Sequence, residues 1–225
     1  MSGRYRLAQL DDYTALPRSK FFWHPPASIS LEARASSNQI PGTWGFGLWN
    51  DPFGISVGLQ GGSRKLPTLP NCAWFFIASL PNYLSIHDYV PGEGNLAGVF
   101  ISPHIPGIFF APALVLLPLF VIPPISRLFR KQAGRIVRQD AVQFSCNLEE
   151  WHEYRIEWQT SGVSFFLDDR KNFETFLSPE GPLGLVIWID NQFAFWTPDG
   201  KIGMGMLKNP QPAWIELRDL LLLTT

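Results

Sequence analysis

The chain has 225 residues, of which 46% are hydrophobic and only 16% charged. A chain this long and this apolar buries a full core without disulfide or metal staples, which excludes intrinsic disorder. Its 18 Lys+Arg nearly balance 19 Asp+Glu, so no overall charge draws it to nucleic acid.

Aromatic residues reach 14%, with 9 Trp and 18 Phe, beside 20 Pro and 19 Gly. Strand formers mixed with this many turn formers read as an all-β protein with short connections. The opening stretch, MSGRYRLAQLDDYTALPRSK, lacks the apolar run of a signal peptide, and residues 1–27 read as an N-terminal arm. Two cysteines, Cys72 and Cys146, imply no disulfide framework. These features predict a cytoplasmic protein with reduced thiols.

Strand-like runs begin with SISLEARA (28–35) and GTWGFGLWND (42–51), where aromatic or apolar residues alternate with Gly. A Gly- and Pro-rich stretch, 52–71, reads as a long loop. Next come CAWFFIAS (72–79), NYLSIHDY (82–89) and LAGVFIS (96–102). After a gap follow WHEYRIEWQ (151–159), VSFFLDD (163–169), GLVIWIDN (184–191) and AWIELRDLLLL (213–223). Runs of this length and spacing predict a single β-sandwich domain over 1–225.

The gap, 103–140, is an apolar and cationic insertion. Residues 94–126 carry no Asp, Glu, Lys or Arg, yet Pro112, Pro118, Pro123 and Pro124 would break a membrane-spanning helix. SRLFRKQAGRIVRQ (126–139) then brings Arg127, Arg130, Lys131, Arg135 and Arg138 with no acid. Ile125, Leu128, Phe129, Gln132 and Ile136 fall on one helical stripe. Three roles stay open for the insertion. One is contact with an anionic membrane surface, through Phe109, Phe110, Leu116, Phe120, Arg127, Arg130, Lys131 and Arg135. The second is a lid over the sandwich, and the third a homodimer seam. The first would make the protein peripheral on the inner face of a membrane.

WHEYRIEWQTSGVSFFLDD (151–169) resembles a signature of glycoside hydrolase family 16, in which Trp-His opens a strand that ends in Glu-Trp. SLEARA with GTWGFGLWN, and GPLGLVIWIDN with AWIELRDLLL, resemble further strands of that family in the same order. The resemblance implies a concanavalin-like β-sandwich, or jelly roll, over about residues 28–223. It also implies where catalysis would reside: a Glu-x-Asp-x-x-Glu motif on the strand after GTWGFGLWN. Retaining hydrolysis needs two carboxyl groups about 5–5.5 Å apart. Laid on Cys72–Ser79, the motif meets Trp74, Phe76 and Ser79, and no acid lies between Leu66 and Ile86. The family's double displacement has no nucleophile here.

Replacing carboxylates by rings turns a polar cleft floor into an apolar one. The leading expectation is a protein that binds an apolar or lipid-like small molecule, such as an isoprenoid chain, in an aromatic cleft. Trp44, Trp49, Asn50, Trp74, Phe76, Ser79, His87, Trp188 and Asn191 are its candidate contacts. Asp88 and Asp190 are candidate acids for a cyclisation or isomerisation. Each has a plainer reading: Asp190 as a strand-end turn residue, His87 and Asp88 as solvated charges, and Trp49 as a packed ring before the turn Asn50-Asp51. The alternative function is carbohydrate binding, or hydrolysis by relocated carboxylates. No residue cluster has metal-site spacing and no phosphate loop is present, so neither a metal nor another cofactor is expected.

Overall fold

The computed structural model describes residues 4–54, 65–105 and 117–224. Period-2 alternation shapes most of it. In β2 (Ala27–Ala35) every odd-numbered residue is buried and every even one is half-exposed, the pattern of a strand with one face on a core. The other strands are β1 (Leu7–Asp11), β3 (Thr43–Trp49), β4 (Cys72–Ala78), β5 (Gly94–Ile101) and β6 (Arg138–Gln143). They continue as β7 (His152–Gln159), β8 (Gly162–Leu167), β9 (Arg170–Thr175) and β10 (Gly184–Asp190). The last are β11 (Gln192–Trp196), β12 (Ile202–Met206) and β13 (Ile215–Thr224).

These strands form two large antiparallel sheets. One has the order β1-β10-β3-β4-β5-β6, the other β13-β2-β7-β8-β9, and β11 pairs with β12 as a separate hairpin. The core lies between the sheets. Trp44, Phe46 and Leu48 of β3 and Ala73, Phe75 and Ile77 of β4 meet Ile29 and Leu31 of β2, Tyr154, Ile156 and Trp158 of β7, and Phe165 of β8. Phe75 anchors it, with Tyr154 and Phe165 edge-on at 5.0 and 5.3 Å. The architecture is therefore the all-β sandwich that the sequence predicts.

Differences arise where alternation is weak. Residues 7–11 of the predicted arm are an edge strand, paired with β10 from Leu7↔Asp190 to Asp11↔Val186. Residues 82–89 form no strand; only Tyr83 bridges to Phe195. The hairpin β11–β12 was not expected. Its Gly203 and Gly205 lie beneath the rings of Phe195 and Phe193, and they alternate with Ile202, Met204 and Met206 along the strand. The insertion ends sooner than 140, because β6 joins the sheet through Ile101↔Arg138.

Within the insertion, a 3-10 turn (Leu117–Val121) leads to helix α1 (Pro123–Ile136). Pro123 and Pro124 fill its first positions, where a missing N–H costs nothing. The helix buries the predicted stripe only in part, with Ile125 and Phe129 half-buried. Ser126 and Arg130 face inward, and Leu128 and Ile136 are exposed. Among the described residues, no helix is long and apolar enough to cross a membrane.

Candidate functional site

The outer face of the six-stranded sheet, turned away from the core, is a field of rings and glycines. Register places Trp188 beside Gly45 and Gly45 beside Phe76; Gly47 lies between Val186 and Trp74, and Trp74 neighbours Gly98. The glycines make room for the rings. A Cβ on Gly45 would come within 2.8 Å of Trp188 Cη2 and 2.3 Å of the Phe75 carbonyl, and one on Gly47 within 2.7 Å of Trp74 Cβ. So the alternation in Thr-Trp-Gly-Phe-Gly-Leu-Trp puts Trp44 and Phe46 inside and leaves flat ground outside.

On that ground Trp49 stacks parallel to Trp188 at 6.4 Å. Trp74 lies 5.7 Å from Trp188, 6.2 Å from Trp49, 5.2 Å from Phe76 and 6.0 Å from Phe100. Trp188 and Phe76 are buried, whereas Trp49 and Trp74 are half-exposed. The predicted contacts Trp49, Trp74, Phe76 and Trp188 thus come together. Trp44 does not join them. It is five residues from Trp49, on the opposite face of the strand, and fills the core instead.

Two flaps border the rings; sequence reasoning missed the first, and the second belongs to the insertion for which a lid is one of the expected roles. On one side Tyr13, Leu16 and Phe21 of the N-terminal segment pack against the cluster of Phe76, Val186 and Trp188. Tyr13 sits 6.0 Å from Trp49, over Gly184, where a Cβ would come within 2.5 Å of its ring. Buried Lys65 ties this flap down: its Nζ lies 3.2 Å from Asp51 Oδ2 and 3.2 Å from the Tyr13 carbonyl, and 4.9 Å from the ring centres of Tyr13 and Phe21. Burial pushes the Asp51 carboxyl up, and Lys65 opposes that shift. On the other side, α1 and residues 84–86 are anchored by Val137, which packs with Cys72 and Phe100.

The polar candidates are committed internally. Asn50 Nδ2 donates to the Leu69 carbonyl at 2.8 Å, and its Oδ1 accepts from Asn71 N. Ser79 Oγ accepts from Gly42 N at 2.9 Å, closing the end of β4. Asn191 Oδ1 accepts from Arg6 N, while its amide donates to the carbonyls of Arg4 and Leu207. His87 Nε2 donates to the Val137 carbonyl at 3.0 Å. Its ring lines a different groove of about 580 Å³, with Tyr89, Arg138, Asp140, Glu174 and Phe176.

Of the two candidate acids, Asp88 stands apart from the rings. Its carboxylate is 70% exposed and lies 3.1 Å from Arg130 Nη1, so no apolar pocket surrounds it. Asp190 is closer to the expected setting. Thr43 Oγ1 donates to its Oδ1 at 2.8 Å and accepts from Trp188 Nε1 at 3.0 Å, which links the carboxylate to the ring cluster. Burial outweighs these bonds and raises the Asp190 pKa. A carboxyl raised on folding makes the fold more stable below its folded pKa, and that stability is lost as pH rises through it. Asp190→Asn keeps an acceptor for Thr43 and Gln192 N. The variant is expected to melt above the wild type at pH 7 and together with it near pH 3. A lower melting temperature at pH 7 would show that the ionised form stabilises the fold.

The predicted membrane contacts divide. Phe109, Phe110 and Leu116 lie outside the described residues. Arg127, Lys131 and Arg135 are exposed, as expected. Arg130 is a correction: only 3% exposed, it donates to the carbonyls of Trp196 (3.0 Å), Ser85 (2.9 Å) and Ile86. Phe120 is half-buried, stacked on Phe129 at 4.6 Å and tilted against Trp196 at 5.6 Å. Among the described residues, no group of three His, Cys, Asp or Glu is placed to hold a metal ion.

The sheets and their order define the class: an all-β sandwich of two antiparallel sheets with one separate hairpin. No family model matches the chain, and no curated protein does. Among solved structures it is similar to a beta-glucanase of Bacillus licheniformis, at 6% identity and TM-score 0.44, over 92% of this chain and 68% of that one. It is also similar to a putative beta-glucanase of Mycobacterium abscessus, at 12% identity and TM-score 0.42, over 91% and 66%. A third is the catalytic domain of an endo-1,3-beta-glucanase (laminarinase) from Thermotoga petrophila, at 11% identity and TM-score 0.39, over 85% and 60%. The chain thus spans 60% to 68% of the lengths of these three. The activities in those names are theirs.

Proposed function

We propose that this protein binds an apolar or lipid-like small molecule, such as an isoprenoid or fatty-acyl chain, against the ring field of Trp49, Trp74, Trp188, Phe76 and Phe100. One observation carries the reading: Asn50, Ser79, Thr43 and Asp51, which border the field, are already spent, which leaves the buried indole N–H of Trp49 as an unpaired polar group there. Asn50, Ser79 and Thr43 bond the protein's own atoms, and Asp51 is paired with Lys65. A sugar stacked on the half-exposed rings would need hydroxyl partners, since a polar group buried without one is penalised. An alkyl chain needs none and gains free energy from apolar contact alone.

Retaining hydrolysis is not part of this reading, because the sequence resemblance puts Trp74, Phe76 and Ser79 where the family's carboxylates would stand. An acid-assisted version of the function would draw on Asp190, the one candidate acid linked to the rings, with the aromatic faces available to a cationic intermediate.

The reading is tested at Trp49 and Trp74, the rings with free surface. Trp74→Ala and Trp49→Ala are each expected to weaken binding of a fatty-acyl or isoprenoid alcohol about tenfold or more, as loss of an aromatic contact does. Calorimetry of the wild type should give a negative heat-capacity change on binding, the mark of apolar burial. Unchanged affinity in both variants would move the ligand elsewhere.

A further inference from the structure

The geometry points to α1 as a docking element for an anionic membrane surface. The argument begins with Arg130. A helix with an apolar stripe normally turns it toward the core, but here the core side is taken by the Arg130 guanidinium and Ser126. Arg130 binds three backbone carbonyls and Asp88, and Ser126 Oγ accepts from Trp196 Nε1 at 2.9 Å. Gly134 lets the helix come close to residue 87, since a Cβ there would stand 3.2 Å from the His87 ring. The helix is therefore fixed to the body by its polar row, and the Leu128, Gln132 and Ile136 side of its stripe turns outward.

Two rows then face solvent side by side. Leu128, Gln132 and Ile136 make one, at four-residue spacing, and Arg127, Lys131 and Arg135 make the other. Leu128 is 58% exposed, and the turn before the helix adds Val121 at 76%, with Leu119 and Ile122 also exposed. No acid occurs in α1. Apolar side chains flanked by uncompensated cations, on a helix that lies along the surface, match the chemistry of an anionic lipid interface. A protein partner of neutral charge would leave the three cations unanswered, and a lid would hide the stripe rather than expose it.

Flotation of the full chain with vesicles tests this. Wild type is expected to float with phosphatidylcholine vesicles containing phosphatidylglycerol, weakly with phosphatidylcholine alone, and less as ionic strength rises. Arg127→Gln/Lys131→Gln/Arg135→Gln should lower the binding constant on the order of 100-fold, about fivefold per cation. Leu128→Ser/Ile136→Ser should also release the protein, since apolar insertion supplies the other part of the affinity. All five positions are exposed, so melting temperatures should match the wild type and separate loss of binding from loss of fold. Absence of wild-type flotation would overturn the proposal, as would unchanged binding by the charge variant. So would a homodimer that Leu128→Ser/Ile136→Ser dissociates, with no vesicle binding by either form.

Discussion

Replacing Arg130 by methionine is expected to cost the fold about 3–5 kcal/mol, because three carbonyls served by one buried guanidinium lose their donor together at about 1–3 kcal/mol each. The guanidinium joins α1, residues 85–86 and the hairpin at Trp196 through one group. Methionine fills much of its volume but leaves three carbonyls without a donor. Urea denaturation followed by far-UV circular dichroism measures the effect as a lower transition midpoint. Arg130→Lys should recover little of it, because an ammonium cannot reproduce the planar fork. A loss below about 1 kcal/mol would mean that these carbonyls are served by water rather than by the guanidinium, as in an exposed pair.

Lys65→Met is expected to cost a similar amount, about 3–5 kcal/mol, for the converse reason. Asp51 and Lys65 have side chains only 4% exposed, and removal of the ammonium strands the carboxylate. The variant should regain stability as pH falls, because a carboxyl raised by burial is then protonated on folding. At pH 7 the double variant Asp51→Asn/Lys65→Met should recover most of the loss, so that the two changes are far from additive. Simple additivity of the two changes would show that the pair is solvated. The first flap over the rings depends on this pair, because Lys65 also holds the Tyr13 carbonyl.

Much of the sandwich was legible because its strands alternate. SISLEARA and WHEYRIEWQ each put one residue in two toward the core, and the observed bounds differ by a residue at most. The same rule applied to GLVIWIDN placed Val186, Trp188 and Asp190 on one face, where Val186 and Trp188 do pack together. Trp44 was legible and misread: an odd separation from Trp49 already assigns the two rings to opposite faces. The glycines at 45 and 47 were visible as an alternation, but only sheet register shows that they sit under rings of other strands.

Other features left no local trace. A helical wheel cannot show that the inward row of α1 is Ser126 and Arg130, because the acceptors that make this favourable come from residues 85, 86 and 196. The pairing of β1 with β10 joins residues 7–11 to 186–190, a long-range contact that an edge strand with four exposed residues does not announce. The commitment of Asn50, Ser79 and Asn191 to backbone atoms is likewise tertiary. Sequence gives the residue type, and the fold decides whether its hydrogen-bonding groups are free.

The most direct test of the ring field as an apolar site uses its own indoles. Purified protein is titrated with a medium-chain isoprenoid or fatty-acyl alcohol and, separately, with a β-glucan oligosaccharide, while tryptophan fluorescence is followed. A saturable change with the apolar compound alone is the expected result. A saturable change with the oligosaccharide alone would contradict the account and return the search to hydroxyl partners and relocated carboxylates.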